Sequence, residues 1–238
     1  MAEVTAHEPV EGVHPLDDVT WNALTGPHRA FAEGGGRVLR YPGAVAPFAS
    51  MTDTLPSSFD ALHALVQRHG VAALTTLEPV APPETLTVVR QAKLVQMVWQ
   101  GKAMEGAATG YVRLDASDVQ DMIALTTLAQ PGPFGTRTVE LGDYFGIRNE
   151  GRLVAMAGER MKLDRFTEIS AVCVDPAYRG QGLAAGLMKR LIETIGRRGE
   201  TPFLHVLTTN HGAIALYRML GFVERREMHL TVLDAAAR

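Results

Sequence analysis

The amino-acid sequence predicts a mixed α/β protein, and three segments of the chain support that prediction. Residues 169–174 form an apolar run that passes through Asp175-Pro176 into a glycine-rich turn, and a helical pattern follows at 183–198. A second strand-like run at 203–207 leads into a helical pattern at 211–220. Upstream, two strand-like runs flank the turn residues Asn149-Glu150-Gly151. Strands that alternate with helices and hairpins are typical of a mixed sheet covered by helices.

Residues 1–109 are expected to form an N-terminal α/β domain. Helical patterns occur at 21–24 and 59–66, and strand-like runs occur at 71–77, 86–89 and 93–99. Gly34-Gly35-Gly36 follows a helical pattern rather than a strand, so we interpret it as a flexible loop. Small residues and glycines at 101–110 favour a linker, which divides the chain into 1–109 and 110–238.

Residues 110–238 contain a denser series of elements. Asp115 and Ser117 are both suitable N-caps for a helix that ends near Leu128, and strands are expected at 144–148 and 153–157. Apolar residues recur every three or four positions in 183–198, which predicts a helix with one apolar face. The chain is expected to end in a hairpin, with strands at 222–223 and 228–233 joined by the charged residues 224–227.

The composition favours a cytoplasmic globular protein. Of the 238 residues, 46% are hydrophobic and 21% are charged, and the net charge of −3 with no basic face argues against a nucleic-acid partner. Cys173 is the single cysteine, which excludes an internal disulfide and suits a reducing compartment; we expect it to be a small buried side chain. No apolar run approaches the ~20 residues of a membrane span, and the first eight residues do not resemble a secretory signal. The eight histidines form no ligand-like cluster, so no metal is expected.

The glycine-rich turn has the features of a phosphate-binding site. It reads Arg179-Gly180-Gln181-Gly182-Leu183-Ala184 and connects a strand to the start of a helix. The first-turn amides of a helix lack partners and lie at its positive end, and glycines let an anion approach the backbone. By itself the pattern also allows a dinucleotide fingerprint, since Gly180, Gly182 and Gly186 are suitably spaced, or a turn that binds nothing. The next strand ends without the acidic residue that a dinucleotide site expects, and no Gly-Lys-Ser/Thr triplet occurs.

Two motifs together resemble the GNAT superfamily of N-acetyltransferases. The turn matches the acyl-CoA-binding motif Arg/Gln-x-x-Gly-x-Gly/Ala. About 30 residues later the chain matches the signature Asn-x-x-Ala-x-x-x-Tyr-x-x-x-Gly-Phe, at Asn210, Ala213, Tyr217, Gly221 and Phe222. The resemblance covers roughly residues 110–238. The combination of a complete second half with a first half that lacks the glycine turn resembles the glycine-N-acyltransferase-like branch of the superfamily.

This resemblance implies a GNAT-like acyl-CoA N-acyltransferase fold, with a first half that is allowed to be a degenerate copy of it. It implies an enzyme that moves an acetyl group from acetyl-CoA to a primary amine by direct attack in a ternary complex, without a metal. A protein of another class, a non-catalytic acyl-CoA sensor or regulatory module, would keep the same turn. The retention of Glu168, Asn210 and Tyr217 favours the enzyme.

The resemblance also assigns roles to individual residues. Tyr217 is the expected proton donor to the leaving thiolate, and a core tyrosine is the alternative; Glu168 is the expected base, and a solvated glutamate at a strand end is the alternative. Asn210 is expected to orient the pantetheine arm or to cap a helix. The pantetheine arm is expected beside the strand and the pyrophosphate on the turn, at Val172, Cys173, Val174, Arg179, Gly180, Gln181, Gly182, Leu183 and Ala184.

The acceptor is less constrained than the cofactor. By resemblance it would lie against residues 130–137 and 224–228, where Arg137 or Arg226 could bind a carboxylate. These segments select no particular amine. The expected acceptors are therefore a small-molecule amine, an amino acid, or the N-terminus of a peptide or protein.

Overall fold

The computed structural model describes residues 14–102 and 110–236, and within them a single mixed sheet organises the chain. The sheet has 11 strands. In chain order they are β1 (Glu33–Gly35), β2 (Val38–Arg40), β3 (Phe48–Met51), β4 (Ala72–Thr76), β5 (Leu86–Trp99), β6 (Val112–Leu114), β7 (Tyr144–Asn149), β8 (Arg152–Leu163), β9 (Phe166–Val174), β10 (Thr201–Leu207) and β11 (Phe222–Ala235).

Helices cover both faces of this sheet. They are α1 (Val19–Thr25), α2 (Pro56–His69), α3 (Val119–Ala129), α4 (Leu183–Arg197) and α5 (His211–Met219). The expected helix at 183–198, the strand before it and the hairpin at 144–157 are confirmed. Asp115 caps a short 3-10 turn that leads into α3, through a hydrogen bond that its carboxylate accepts from the Ser117 amide.

The strand order interleaves the two halves of the chain. It runs β1-β2-β3-β4-β11-β5-β10-β9-β8-β7-β6, so β5 lies between β11 and β10, and β11 lies between β4 and β5. Each half also contains a unit of two parallel strands joined by a helix, β3-α2-β4 in the first half and β9-α4-β10 in the second. The last strand of the first half, β5, therefore lies next to β10 of the second-half unit. The last strand of the second half, β11, lies next to β4 of the first-half unit.

The prediction of a hairpin at the C-terminus is wrong. Residues 222–235 form one strand, β11, which pairs along its length with β5 and has a bulge between Glu224 and Arg226. Likewise, the runs expected at 86–89 and 93–99 are a single strand. The charged residues 224–227 did not need to form a turn, because β5 supplies the backbone partner and Lys93 forms an ion pair with Glu227 across the two strands, at 2.5 Å.

The first half differs from its sequence-based description at one further place. Glu33–Gly35 is strand β1, paired with β2 in antiparallel register, so the interpretation of Gly34-Gly35-Gly36 as a flexible loop is wrong for its first two glycines. Gly34 and Gly35 continue the pairing of β1 with β2 that starts at Glu33, because strand pairing uses backbone groups and needs no side chains.

The division at residues 109 and 110 stays a prediction. Most of the expected linker, residues 103–109, lies outside the described residues, and so do residues 1–13, where no secretory signal was expected. The strand β5 belongs to the first half in sequence but lies inside the sheet next to β10. No helix within 14–102 and 110–236 is long and apolar enough to cross a membrane.

The two faces of the central sheet carry different cores. Leu204 and Val206 of β10 pack with α4 and α5 in one cluster, together with Ile169 of β9. Phe203 of β10 packs with α1, β3 and the end of β8 in a second cluster on the opposite face. This alternation along β10 is what a strand buried on both sides requires.

Candidate active site

The strands β9 and β10 separate to form an opening that we call the wedge. Their parallel register covers Phe166–Glu168 of β9 and Thr201–Phe203 of β10. Beyond that point β9 continues to Val174 in register with β8 alone, and β10 continues to Leu207 in register with β5. Among residues 14–102 and 110–236, no strand lies between the facing backbone edges at 169–174 and 204–207. Such edges can accept an extended ligand as an added strand.

The glycine-rich turn lies at the open end of the wedge. Gly180 and Gly182 both have a left-handed backbone, with φ of +78° and +76°. Gly182 is the N-cap residue of α4, and within the described part of the chain no side-chain hydrogen bond caps this helix. The first amides of α4 therefore face outward at the positive end of the helix, together with the exposed residues Arg179 and Gln181. The arrangement can bind an anion such as a phosphate.

Asp175 fixes where this turn begins. Its carboxylate accepts a hydrogen bond from the Ala177 amide at 2.9 Å and forms an ion pair with Arg152, while its own amide donates to the Val154 carbonyl at 2.8 Å. These bonds tie the turn to β8 rather than to the helix that follows.

The strand residues of the expected cofactor site divide between the two faces of β9. Val172 and Val174 pack against the cluster beneath α4 and α5, whereas Cys173 is buried on the α3 side. Burial raises the pKa of the Cys173 thiol to about 12, so the thiol stays protonated and is not a nucleophile at neutral pH. The expected small, buried role of this side chain is confirmed.

Asn210 caps α5. Its side-chain oxygen accepts a hydrogen bond from the Ala213 amide at 3.2 Å, as the N-cap prediction requires. A contact with pantetheine through the amide nitrogen stays a prediction.

Tyr217 lies on α5 with a half-buried ring that contacts Phe222 edge-on, at 6.1 Å between centroids. Burial raises the pKa of its hydroxyl to about 12, so the phenol keeps its proton at neutral pH. Within the part of the chain that the structure describes, this hydroxyl makes no hydrogen bond. It is therefore a proton donor without a fixed partner.

Glu168 lies at the apex of the wedge, paired with Phe203 in the last step of the β9–β10 register. It is fully buried, so the alternative of a solvated strand-end glutamate is wrong. Arg160 donates to both carboxylate oxygens, at 2.8 and 2.7 Å, and His205 Nδ1 lies 2.7 Å from Oε1. Burial raises the pKa of this carboxyl, but the ion pair and hydrogen bonds with Arg160 and the bond with His205 outweigh it and lower the pKa to about 2. Such a carboxylate is a weak proton acceptor at neutral pH, and the expected role of Glu168 as the base stays a prediction.

The two expected catalytic residues lie on opposite faces of the sheet. Tyr217 packs with the α4 and α5 cluster. Glu168 bonds to Arg160, which lies over the ring of Phe48 in the cluster on the other face, at 4.6 Å. The wedge joins the two faces.

Sequence reasoning missed the polar side chains around Glu168, namely Arg160, His205 and Gln96. The signal for His205 was present, since it is the one titratable residue in the apolar strand 203–207. Gln96 gave no such signal, because its strand was assigned to the other half of the chain.

The expected acceptor contacts are occupied by internal ion pairs. Arg137 donates to both carboxylate oxygens of Glu140 at 2.7 Å, and Arg225 and Arg226 both lie beside Asp17, at 2.7 and 3.1 Å. Neither segment selects a particular acceptor. Among the described residues, no cluster of His, Cys, Asp and Glu is arranged to hold a metal ion.

Comparisons with known proteins identify the family to which this fold belongs. The profile of the FR47-like protein family matches residues 144–230. A crystal structure of a protein from Novosphingobium aromaticivorans, assigned to the GNAT family of acetyltransferases, is 40% identical and superposes with a TM-score of 0.89, over 94% of this chain and all of that one. The chain therefore belongs to the GNAT family.

Curated relatives match shorter stretches of the chain. The N-alpha-acetyltransferase RimI of Mycobacterium tuberculosis is 37% identical over 100 residues, which is 39% of this chain and 61% of the relative. The ribosomal protein bS18-alanine N-acetyltransferase of Escherichia coli is 40% identical over 81 residues, 34% of this chain and 54% of the relative. The chain thus spans little more than half the length of the curated relatives it matches.

Proposed function

We propose that this protein is an N-acetyltransferase that moves an acetyl group from acetyl-CoA to a primary amine, by direct attack in a ternary complex. The observation that carries the proposal is the wedge between β9 and β10, which opens onto an uncapped helix N-terminus at the glycine turn. An extended pantetheine arm fits the unpaired strand edges, and a pyrophosphate fits the first amides of α4. The names of the relatives support the same reaction.

Two chemical tasks remain for side chains near the wedge. The amine must lose a proton, because an alkyl amine with a pKa near ~10.4 is mostly protonated at neutral pH. The leaving thiolate benefits from a proton donor. Tyr217 suits the second task, since its hydroxyl is neutral and makes no hydrogen bond to a described residue.

The cofactor part of the proposal is tested by ligand-induced thermal stabilisation. Acetyl-CoA should raise the melting temperature, because a ligand that binds only the folded state stabilises it by RT ln(1 + [L]/Kd). Gly182→Val should remove this shift, because it introduces a side chain at a residue with φ of +76° in the phosphate-binding turn. Gly199→Val is the matched control: φ is +74° there, a Cβ at either glycine would meet nothing within 4 Å, and Gly199 follows the other end of α4.

Three results would count against acetyl-CoA binding at the turn. They are the absence of a shift with the unmodified protein, an equal shift with NAD, or an equal loss of the shift in both glycine variants. The last result would show that backbone strain, rather than access to the turn, controls binding.

Turnover separates an enzyme from a non-catalytic acyl-CoA sensor. Release of free CoA should depend on an added acceptor, and a screen of small amines, amino acids and short peptides identifies its class. One relative is named for the alanine of a ribosomal protein, which supports including peptides that begin with alanine. Binding of acetyl-CoA without release of CoA across the whole screen would favour the sensor.

We further propose that the first half is a degenerate copy of the fold, as in the glycine-N-acyltransferase-like branch, and that residues 1–109 and 110–238 correspond to the two copies. The matching β3-α2-β4 and β9-α4-β10 units support this. At the N-terminus of α2, Asp53 takes the place that a phosphate would need. Its carboxylate accepts hydrogen bonds from the Leu55 amide at 3.0 Å and the Ser58 hydroxyl at 2.5 Å. The first half should therefore bind no CoA.

The remaining proposals concern location and partners. A single cysteine and a net charge of −3 support a cytoplasmic protein without nucleic-acid or membrane partners. Fractionation of cells that express the protein tests the location.

A further inference from the structure

A continuous chain of polar side chains crosses the apex of the wedge. Arg160 binds both oxygens of Glu168, and Glu168 Oε1 lies 2.7 Å from His205 Nδ1. On the other side of the imidazole, His205 Nε2 lies 3.0 Å from Gln96 Nε2. The imidazole is therefore held between a carboxylate and an amide.

The partners of Gln96 decide which atom faces the imidazole. Its Oε1 accepts from Arg225 Nη1 at 2.9 Å, and its Nε2 donates to the Leu16 carbonyl at 2.8 Å. With the amide reversed, its nitrogen would face the donor Arg225 Nη1, and its oxygen would face the carbonyl oxygen of Leu16, which is an acceptor. The group next to His205 Nε2 is thus the amide nitrogen, whose second hydrogen faces His205 Nε2 at 3.0 Å and the weaker acceptor Met228 Sδ at 3.3 Å.

The tautomer of His205 follows from these two neighbours. The carboxylate of Glu168 only accepts hydrogen bonds, so Nδ1 carries the hydrogen and donates it. The amide of Gln96 donates, so Nε2 presents its lone pair. Nε2 is therefore the nitrogen of this ring that can take a proton.

We propose that His205 Nε2 accepts the proton of the acceptor amine, and that Glu168 and Gln96 are positioning residues that hold the ring for this step. The inference rests on the proposed acetyl transfer. In that step the acceptor amine is already uncharged; its nitrogen lone pair forms the new bond to the acyl carbon, and the carbon–sulfur bond breaks. Its electron pair leaves on sulfur, and the amine proton passes to Nε2. Once Nε2 carries this hydrogen, it no longer accepts a hydrogen bond from Gln96. It instead donates one to the transferred group.

The position of His205 fits this role. It follows Phe203, the last residue of the β9–β10 register, by two positions, so it lies on the same face of β10 at the point where the wedge opens. A cavity of about 20 Å³ adjoins it, lined also by Arg160, Phe48 and Leu94. This volume admits about one water-sized group, which is enough for an amino group or for one water that relays its proton.

His205 is a better candidate for the base than Glu168. The carboxyl of Glu168 has a pKa of about 2 and both its oxygens accept hydrogen bonds, whereas Nε2 of His205 presents a lone pair to the amide of Gln96. Catalytic bases work best when they gain and lose the proton near the operating pH. Glu168 instead stabilises the positive charge that forms on the imidazole.

With His205 as the base, the first half of the chain also takes part in the reaction. Gln96 belongs to β5, and the groups behind it include Asp17, which pairs with Arg225. The charged or titratable groups around the His205 ring are thus Glu168 and Arg160 from β9 and β8, and, through Gln96, Arg225 and Asp17. The second half cannot provide this arrangement by itself.

The test uses the full chain with an acceptor found in the CoA-release screen. His205→Asn retains a donor toward Glu168 but removes the base, so kcat/KM should fall by about 10²–10⁴ and lose its rise with pH, while the thermal shift with acetyl-CoA persists. Gln96→Glu places a carboxylate beside Nε2, which favours the protonated ring. The rising limb of its pH profile should therefore move upward by about one unit or more. His63→Gln, on α2 in the first half, is the control and should match the parent.

Activity within threefold of the parent at all pH values for His205→Asn, or an unmoved limb for Gln96→Glu, overturns the inference. Nitrogen-15 NMR of the unmodified protein provides a test that needs no variant to fold. It should show hydrogen on Nδ1 of His205 near pH 8, and hydrogen on Nε2 instead overturns the inference as well. A parent that releases no CoA with any acceptor refutes the proposed function rather than the assignment of the tautomer.

Discussion

Replacement of Tyr217 by phenylalanine separates catalysis from stability more cleanly than other changes in this site. The substitution keeps the ring, its edge-on contact with Phe222 and its packing beneath α4 and α5. It removes only a hydroxyl that bonds to no described residue. If this hydroxyl protonates the departing thiolate, its loss should affect turnover and little else.

The expected change in stability is smaller than the expected change in catalysis. Because no hydrogen bond within the described residues is lost, the free energy of unfolding should change by at most about 1 kcal/mol. Loss of a general acid lowers kcat by about 10²–10⁴, which corresponds to about 2.7–5.4 kcal/mol of transition-state stabilisation. The expected effect on catalysis therefore exceeds the expected effect on stability at least twofold.

The assay combines urea unfolding, calorimetric titration with acetyl-CoA, and the rate of CoA release with the identified acceptor. Stability and affinity should match the parent, and kcat should fall. His63→Gln, on α2 in the first half, is the control and should leave kcat unchanged. A Tyr217→Phe protein that turns over like the parent at every pH would refute the reasoning and make Tyr217 a core residue.

Two further predictions concern the first half. Calorimetry should give one acetyl-CoA per chain, because the Asp53 carboxylate is bonded to the Leu55 amide beside the N-terminus of α2 and would repel a phosphate; two sites per chain would show that the first half is a working copy. His28 is 4% exposed, and burial, followed by the charge of Lys162, lowers its pKa from 6.5 to about 4. Because the folded-state pKa is depressed, the neutral ring contributes stability that is complete above pH 6.5 and is lost as the pH falls toward 4. Between pH 6.5 and 4, the free energy of unfolding measured in urea should decrease by about 2–3 kcal/mol more in the parent than in His28→Gln. Equal pH dependence in the two proteins would contradict the lowered pKa of His28.

Much of the fold could be predicted because its signals are local. The apolar run before the glycine turn, the amphipathic helix after it and the N-cap Asn210 each depend on neighbours within a few residues. The positions of Gly180 and Gly182 could be assigned for the same reason, since a left-handed backbone at a tight turn selects glycine at that place in the chain. The resemblance to a family added the second motif.

The charged segment 224–227 shows where local reasoning fails. Four charged residues between two apolar runs indicate a turn when the chain is read alone. In the structure they continue β11, because β5 lies beside them and supplies both a backbone ladder and the ion pair of Lys93 with Glu227. The partner is more than 120 residues away in sequence, and strand pairing over that distance leaves no local pattern.

The sequence by itself determined the family, the glycine turn and the candidacy of Tyr217 and Glu168, because each belongs to a short motif with fixed spacing. Only the tertiary structure decided the surroundings of Glu168. Arg160, His205 and Gln96 come from three different strands, and they meet because β5 of the first half inserts beside β10. The protonation of a buried group depends on the charges and donors within a few ångströms of it, and the fold, rather than the order of the residues, sets those distances.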